Sequence, residues 1–168
     1  MIIKDIKSNR ILPFEIEDVK LFKLFSFYLH SAPTIESKTA AQIDSQRLLK
    51  NWLNFKTRYP RNVLVFFSAS YSNDNFIKSL AKYEINEEAQ VNRKTKVIVC
   101  KKKDTKKTEP QCLLRHLRNS IAHNNVYISN AGNRKYILFE DYNKNRNLTA
   151  RILLSQTDLA VLKREIMK

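Results

Sequence analysis

The stretch that decides the fold is Thr108-Glu-Pro-Gln-Cys-Leu-Leu-Arg-His-Leu-Arg-Asn-Ser-Ile-Ala-His-Asn124. Thr108 offers a capping hydroxyl, Glu109 is an acid suited to the positive start of a helix, and Pro110 is tolerated in a first turn. These signals predict a helix over residues 110–124, called the motif helix below. Its apolar stripe consists of Leu113, Leu114, Leu117 and Ile121.

Four polar side chains of the motif helix lie outside this stripe: Arg115, Arg118, Asn119 and His123. A guanidinium is a permanent cation that binds phosphate through several donors, and an imidazole can give or take a proton near neutral pH. Metal-free RNA cleavage needs a base for the ribose 2′-hydroxyl, neutralisation of transition-state charge and help for the departing 5′-oxygen. We therefore expect His123 to transfer protons and Arg118 to neutralise the phosphate, with no metal or other cofactor.

The segment Arg118-Asn-Ser-Ile-Ala-His123 resembles the arginine, polar residue, short spacer and histidine pattern of the HEPN superfamily. The resemblance covers roughly residues 110–166. It implies a small helical domain, commonly a dimer in which the motifs of two subunits meet in one cleft. Many members are ribonucleases of toxin–antitoxin, abortive-infection and other antiviral defence systems. Carried over, Arg118 and His123 would be catalytic and Asn119 the supporting polar residue.

The spacing of Arg118 and His123 has a geometric consequence. At about 100° per residue, five positions separate the two side chains by roughly 140° around an ideal helix. A cleft shared by two subunits would still bring them together, so we expect a two-fold homodimer with a composite active site. The alternative is that both side chains merely cap the end of the helix, where cations complement the dipole.

A β extension is predicted after the motif helix, over residues 126–154. Two extended runs, 126–129 and 136–139, flank a turn at 130–133 that holds the single glycine of the chain. A third extended run covers residues 148–154. Thr157-Asp158 then opens a final helix over residues 157–167.

A basic loop is predicted before the motif helix, over residues 101–107. Its lysines are candidates, with Arg115, for contacts to RNA phosphates, whereas the alternative is a solvated surface loop. The candidate RNA-binding residues of this loop are Lys101, Lys102, Lys103, Lys106 and Lys107.

The first hundred residues predict helices over 15–30, over 40–59 up to Pro60, and from Asn73 onward, while Val63–Phe67 fits either a strand or a helical turn. One Gly and four Pro in 168 residues are too few turn formers for a many-stranded sandwich. We therefore expect a single domain, 1–168, of mainly α class: an HEPN-like helical bundle with a small C-terminal β-hairpin or three-strand extension and a final helix.

The charge of the chain favours an anionic partner. Lys and Arg number 31 against 16 Asp and Glu, which gives a formal net charge of +15. This charge indicates that the binding partner is RNA and not a membrane surface. Cys100 and Cys112 lack the spacing of a zinc site or redox dithiol, and the N-terminus does not read as a signal peptide. A cytoplasmic location is expected.

The leading hypothesis is a metal-independent endoribonuclease, acting as a toxin or anti-phage abortive-infection effector with a possible cognate antitoxin. The rival is a non-catalytic HEPN-like domain that binds RNA, a nucleotide or another protein. A third candidate class is a DNA-binding regulator, which would need a recognition helix that reads the major groove. The basic residues 101–107 read as a loop, so this class is disfavoured.

Several side chains receive structural interpretations. His116 is expected at the surface and His30 in a structural role. Glu140-Asp141 is expected in a turn, and the alternative is that this pair orients a substrate or binds an ion. The large aromatic side chains are expected in the core rather than on a base-stacking platform; they are Phe22, Phe25, Trp52, Phe66 and Phe67.

Overall fold

The computed structural model describes residues 1–33, 40–41, 43–58, 63–69, 72–131 and 134–168. Its helices are α1 (Ile3–Ile6), α2 (Val19–Ser26), which continues as a π-helical turn (Phe27–Ser31), α3 (Ser45–Arg58), α4 (Asn73–Lys82), α5 (Glu109–Ala122) and α6 (Gln156–Ile166). Its strands are β1 (Leu64–Ser68), β2 (Val97–Lys101), β3 (Val126–Ala131), β4 (Arg134–Tyr142) and β5 (Leu148–Ser155). The motif helix is α5.

Within the described residues, the strands form one five-stranded mixed sheet in the order β1-β2-β5-β4-β3. β1 runs parallel to β2, and the other neighbours are antiparallel. β5 occupies the centre, where Ile152 is paired with Ile98 on one side and with Phe139 on the other. Every residue of β5 is buried, including the polar side chains of Thr149, Arg151 and Ser155.

Helices cover both faces of this sheet. On β5, Ile152 and Leu154 point into a core shared with α2, α3, α5 and α6, whereas Leu153 points into a second core shared with α1 and α4. This alternation follows from the two-residue period of a strand. The fold therefore has three layers, and the motif helix belongs to the larger helical layer.

The expectation of a mainly α bundle with a small β extension is wrong, because the protein is an α/β fold built around the sheet. Residues 148–155 do not end a peripheral hairpin: β5 pairs with β2, which lies some fifty residues earlier in the chain. A short apolar run such as 97–100 has no periodicity that distinguishes a buried strand from a buried helical turn. Whether such a run forms a strand or a helical turn depends on the strands available to pair with it, and those strands are distant in sequence.

Local signals located most helices to within a few residues. α5 begins at the predicted cap, where the Thr108 hydroxyl accepts from Gln111 N–H at 3.5 Å and Gln111 Oε1 accepts from Thr108 N–H at 3.0 Å. α2 begins at Val19 rather than residue 15, because Asp18 caps it, and α3 begins at Ser45 rather than residue 40. Tyr59 and Pro60, and residues 132–133 of the predicted turn, lie outside the described residues.

Two expectations about burial also need correction, one for a residue expected to be exposed and one for a residue expected in the core. Lys101 is not part of an exposed loop, because it is the last residue of β2, its side chain is buried, and its Nζ lies 5.3 Å from the ring centroid of Phe76. Burial, together with the charge of Lys103, lowers the pKa of Lys101. Phe22 is 38% exposed, and its ring packs edge-on against Phe14 at 5.5 Å.

No helix in the described parts of the chain is long and apolar enough to span a bilayer.

Candidate functional site

The exposed face of α5 carries the predicted catalytic residues. The side of the helix that holds Leu113, Leu117 and Ile121 is buried against the sheet and the π-helical turn. The opposite side is a strip of partly or fully exposed residues: Arg115, Arg118, Asn119, Ala122 and His123. At about 100° per residue this strip spans roughly 140°, with Arg118 at one margin and His123 at the other.

The C-terminal end of α5 is held by its own backbone. Asn125 N–H donates to Ser120 O at 2.8 Å, and Asn124 N–H donates to Ile121 O at 3.2 Å. This Schellman arrangement requires the left-handed φ of 58° found at Asn124, a conformation that Asn tolerates better than most residues. Backbone groups thus bond two of the last carbonyls, so the His123 imidazole is not needed to cap them.

The Arg118 and His123 side chains remain accessible. Arg118 is half-buried and His123 is exposed. Neither forms an ion pair with any residue that the structure describes. The arrangement leaves a guanidinium and an imidazole available to an external ligand.

His116 forms a buried clamp with Asp141 and the end of β2. Its Nδ1 lies 2.7 Å from Asp141 Oδ2, and its Nε2 lies 3.0 Å from Lys101 O. A carbonyl oxygen only accepts, so Nε2 donates to it, and an ionised carboxylate requires that Nδ1 donate as well. Geometry therefore favours the doubly protonated imidazolium.

The surroundings of His116 act on its pKa in opposite directions. Burial lowers it, but the hydrogen bonds to Asp141, Cys112 and the Lys101 carbonyl outweigh burial and raise the pKa to about 9. The expectation of a surface histidine is wrong, since His116 is 3% exposed. With both ring nitrogens engaged, His116 fastens α5 to β2 and β4 and is not placed to act as a base.

Asn119 connects the exposed strip to this clamp. Its Nδ2 donates to the same Asp141 Oδ2 at 3.3 Å. Asp141 lies in β4, beside a shift of register, and not in the turn that was expected. The predicted supporting residue is thus oriented by the carboxylate that also holds His116.

A cavity of about 450 Å³ opens beside the clamp. Its lining includes the cations Lys101, Lys103, Arg115 and Lys144, the amide of Asn119 and the two carboxylates Asp104 and Asp141, so basic side chains outnumber acidic ones. Arg118 and His123 are not among its lining residues. The predicted site residues therefore fall into two groups, one around the cavity and one at the margins of the exposed strip.

The remaining predicted RNA contacts lie on the loop before α5. Lys106 is exposed, and Lys107 is half-buried. Lys102 is half-buried, and its Nζ donates to Asp104 O at 3.3 Å. None of these three side chains lines the cavity.

Arg10 is a functional candidate that sequence reasoning missed. Its guanidinium donates to Asn125 Oδ1 at 3.0 Å and to Tyr127 Oη at 3.3 Å, which places a cation beside the residues that follow His123. No local pattern indicated this contact, because it joins distant parts of the chain. The burial of His116 was weakly indicated by the sequence, because this residue lies between Leu113 and Leu117 at the edge of the apolar stripe.

The described residues contain no group of three or more His, Cys, Asp or Glu side chains placed to hold a metal ion. The accessible cations, the Asn119 amide and the His123 imidazole suit phosphate binding and proton transfer, although the exposed carboxylate of Asp104 also borders the cavity.

A protein-family model described as HEPN pEK499 p136 matches residues 49–168. The match begins inside α3 and extends to the last residue, so it includes β1, β2 and the clamp as well as the motif helix. Neither the curated proteins nor the solved structures contain a significant match to the chain.

Proposed function

The chain belongs to the HEPN pEK499 p136 family, and from this membership we propose that it is a metal-independent endoribonuclease. Membership in the HEPN superfamily makes a ribonuclease or nucleotide-related function possible. The observation that carries the finer proposal is the exposed strip of α5, which presents Arg118 and His123 to solvent while His116 is held in a buried clamp.

The proposed reaction is an internal transfer at phosphorus. His123 removes the proton of a ribose 2′-hydroxyl, the 2′-oxygen attacks the adjacent phosphorus, and the bond to the 5′-oxygen breaks. The products are a 2′,3′-cyclic phosphate and a 5′-hydroxyl. Arg118 neutralises the charge that develops on the phosphoryl oxygens. In a two-fold dimer, a second copy of His123 is available to protonate the leaving oxygen.

The cationic cavity supports the binding half of this proposal. Arg115 and Lys103 line it, and Asn119 connects it to the catalytic strip. Lys102, Lys106 and Lys107 on the preceding loop extend the positive surface toward an RNA backbone. Lys101 is not one of the proposed RNA contacts, because its side chain is buried and its ammonium lies over the ring of Phe76.

We further propose the biological setting that the family resemblance implies. The enzyme acts in the cytoplasm as a toxin or anti-phage abortive-infection effector, its substrate is RNA, and a cognate antitoxin restrains it. Dimerisation completes its active site.

RNA digestion in the presence of EDTA tests the proposal. The native chain is compared with Arg118→Ala and His123→Ala, with Lys78→Ala at an exposed position of α4 as the control, and the product ends are identified. Loss of a general base or a charge-stabilising group should slow cleavage by about 100-fold or more. Cleavage by His123→Ala at the native rate, or product ends other than a cyclic phosphate and a 5′-hydroxyl, contradicts the assignment.

One observation favours a second candidate function, a non-catalytic RNA-binding or nucleotide-binding domain. The cationic cavity is complete without Arg118 and His123, so it can hold a phosphate without cleaving it. Binding that is lost in Arg115→Ala, with no product from any RNA tested, would establish this alternative.

A further inference from the structure

A second basic cavity lies at the opposite end of the sheet from the candidate site. It has a volume of about 750 Å³ and borders Ser155, the last residue of β5, whereas the first cavity borders Thr149 near the start of that strand. At about 3.3 Å per residue the two positions are roughly 20 Å apart. We call it the lysine cavity after its charged lining residues, Lys20, Lys23, Lys96, Lys135 and Lys163.

These lysines come from four separate parts of the chain. Lys20 and Lys23 lie on α2, Lys96 immediately precedes β2, Lys135 lies on β4 and Lys163 lies on α6. Among the described residues that line the lysine cavity, none is acidic. Convergence of like charges from distant segments opposes folding, so their arrangement indicates a role in binding an anion.

Nearby carboxylates neutralise only part of this charge. Lys135 pairs with Asp18 at 2.7 Å, and Lys96 pairs with Asp158 at 2.9 Å. Among the described residues, Lys20, Lys23 and Lys163 have no carboxylate partner. The Nζ of Lys163 instead lies 4.9 Å from the ring centroid of Phe27.

The other walls of the lysine cavity suit a phosphate-bearing ligand. Gln156 and Thr157, the first residues of the 11-residue helix α6, line one side, so the positive end of that helix adds to the field of the lysines. Leu24 and Ala160 supply apolar surface. The volume falls within the range of small-molecule sites, which is about 300–1,000 Å³.

We propose that the lysine cavity binds phosphate groups, either those of a nucleotide or those of an RNA strand. Lysine ammonium groups are compact point charges that bind phosphates without requiring a fixed orientation. This site is separate from Arg118 and His123, and its occupancy does not require the proposed cleavage activity.

Binding measurements on lysine variants test this inference. The cavity variant carries Lys20→Gln, Lys23→Gln and Lys163→Gln. The matched control carries Lys4→Gln, Lys50→Gln and Lys78→Gln, three exposed lysines that lose the same charge outside the lysine cavity. Two probes distinguish the sources of phosphate: a fluorescent DNA oligonucleotide, which lacks the 2′-hydroxyl needed for cleavage, and ATP.

The cavity variant should bind at least one probe about tenfold more weakly than the control variant, with a shallower dependence of affinity on salt. Loss of affinity for the oligonucleotide alone identifies a nucleic-acid backbone as the ligand. Loss of affinity for ATP alone identifies a free nucleotide. A Lys20→Arg, Lys23→Arg, Lys163→Arg variant should retain binding, and circular dichroism checks that all variants are folded. Equal affinities of the cavity and control variants for both probes overturn the proposal, as does a native chain that binds neither.

Discussion

At the scale of single residues, the two histidines of α5 have different environments. His116 and His123 lie seven positions apart on α5, yet His116 is enclosed between Asp141 and the Lys101 carbonyl, whereas His123 is exposed. The same side chain is therefore a buried structural group at one position and is accessible at the other, where we propose that it transfers protons.

The clamp makes stability depend on pH in a defined direction. Because the folded pKa of His116 is raised from 6.5 to about 9, its contribution is complete below about pH 6.5 and is lost as the pH rises through 9. We expect the melting temperature of the native chain to fall across this interval more steeply than that of Asp141→Asn, in which the charged partner is removed. Thermal unfolding of both proteins from pH 6 to pH 9.5 measures the difference. Parallel profiles would show that the His116–Asp141 pair does not cause the pH dependence.

At the scale of elements, the ends of α5 determine what its exposed strip presents. Thr108 and Gln111 cap one end, and the left-handed Asn124 closes the other. Closure by backbone bonds leaves the His123 side chain directed outward at the last turn. The position of the proposed proton carrier thus depends on the conformation of the residue that follows it.

Substitutions at Asn124 test this closure. Asn124→Ala should lower the free energy of unfolding by about 1 kcal/mol, because alanine tolerates a left-handed φ less well than Asn. Asn124→Gly should leave stability unchanged or raise it, since glycine adopts positive φ without steric cost. Urea unfolding of the three proteins gives the order. An alanine variant at least as stable as the glycine variant would contradict the role given to this conformation.

At the scale of the whole molecule, the sheet holds two basic cavities at its opposite ends and leaves one face of α5 uncovered. The helix–sheet–helix layering buries both faces of the sheet within the monomer. Since Arg118 and His123 lie at the two margins of the exposed strip, a second copy packed along that strip would place the motifs of both chains in one cleft.

A substitution within the exposed strip tests this arrangement. Ala122→Arg places a long cation on the strip without altering Arg118 or His123, so it should disrupt the proposed dimer and lower the proposed RNA cleavage. Ala81→Arg, at an exposed alanine of α4 in the other helical layer, is the matched control and should change neither property. Analytical ultracentrifugation reports the mass. A native chain that cleaves RNA as a monomer rules out the composite site.

Local sequence determined the motif helix, its cap at Thr108 and the superfamily to which the chain belongs. The helix and its cap depend on residues three or four positions apart, and the family motif depends on two residues five positions apart, so local pattern and capping chemistry suffice to predict them. The pairing of β2 with β5, the burial of Lys101 and the clamp between His116 and Asp141 were decided only by the tertiary structure. Each joins segments distant in the chain, and the burial and protonation of a side chain depend on neighbours that local periodicity does not identify.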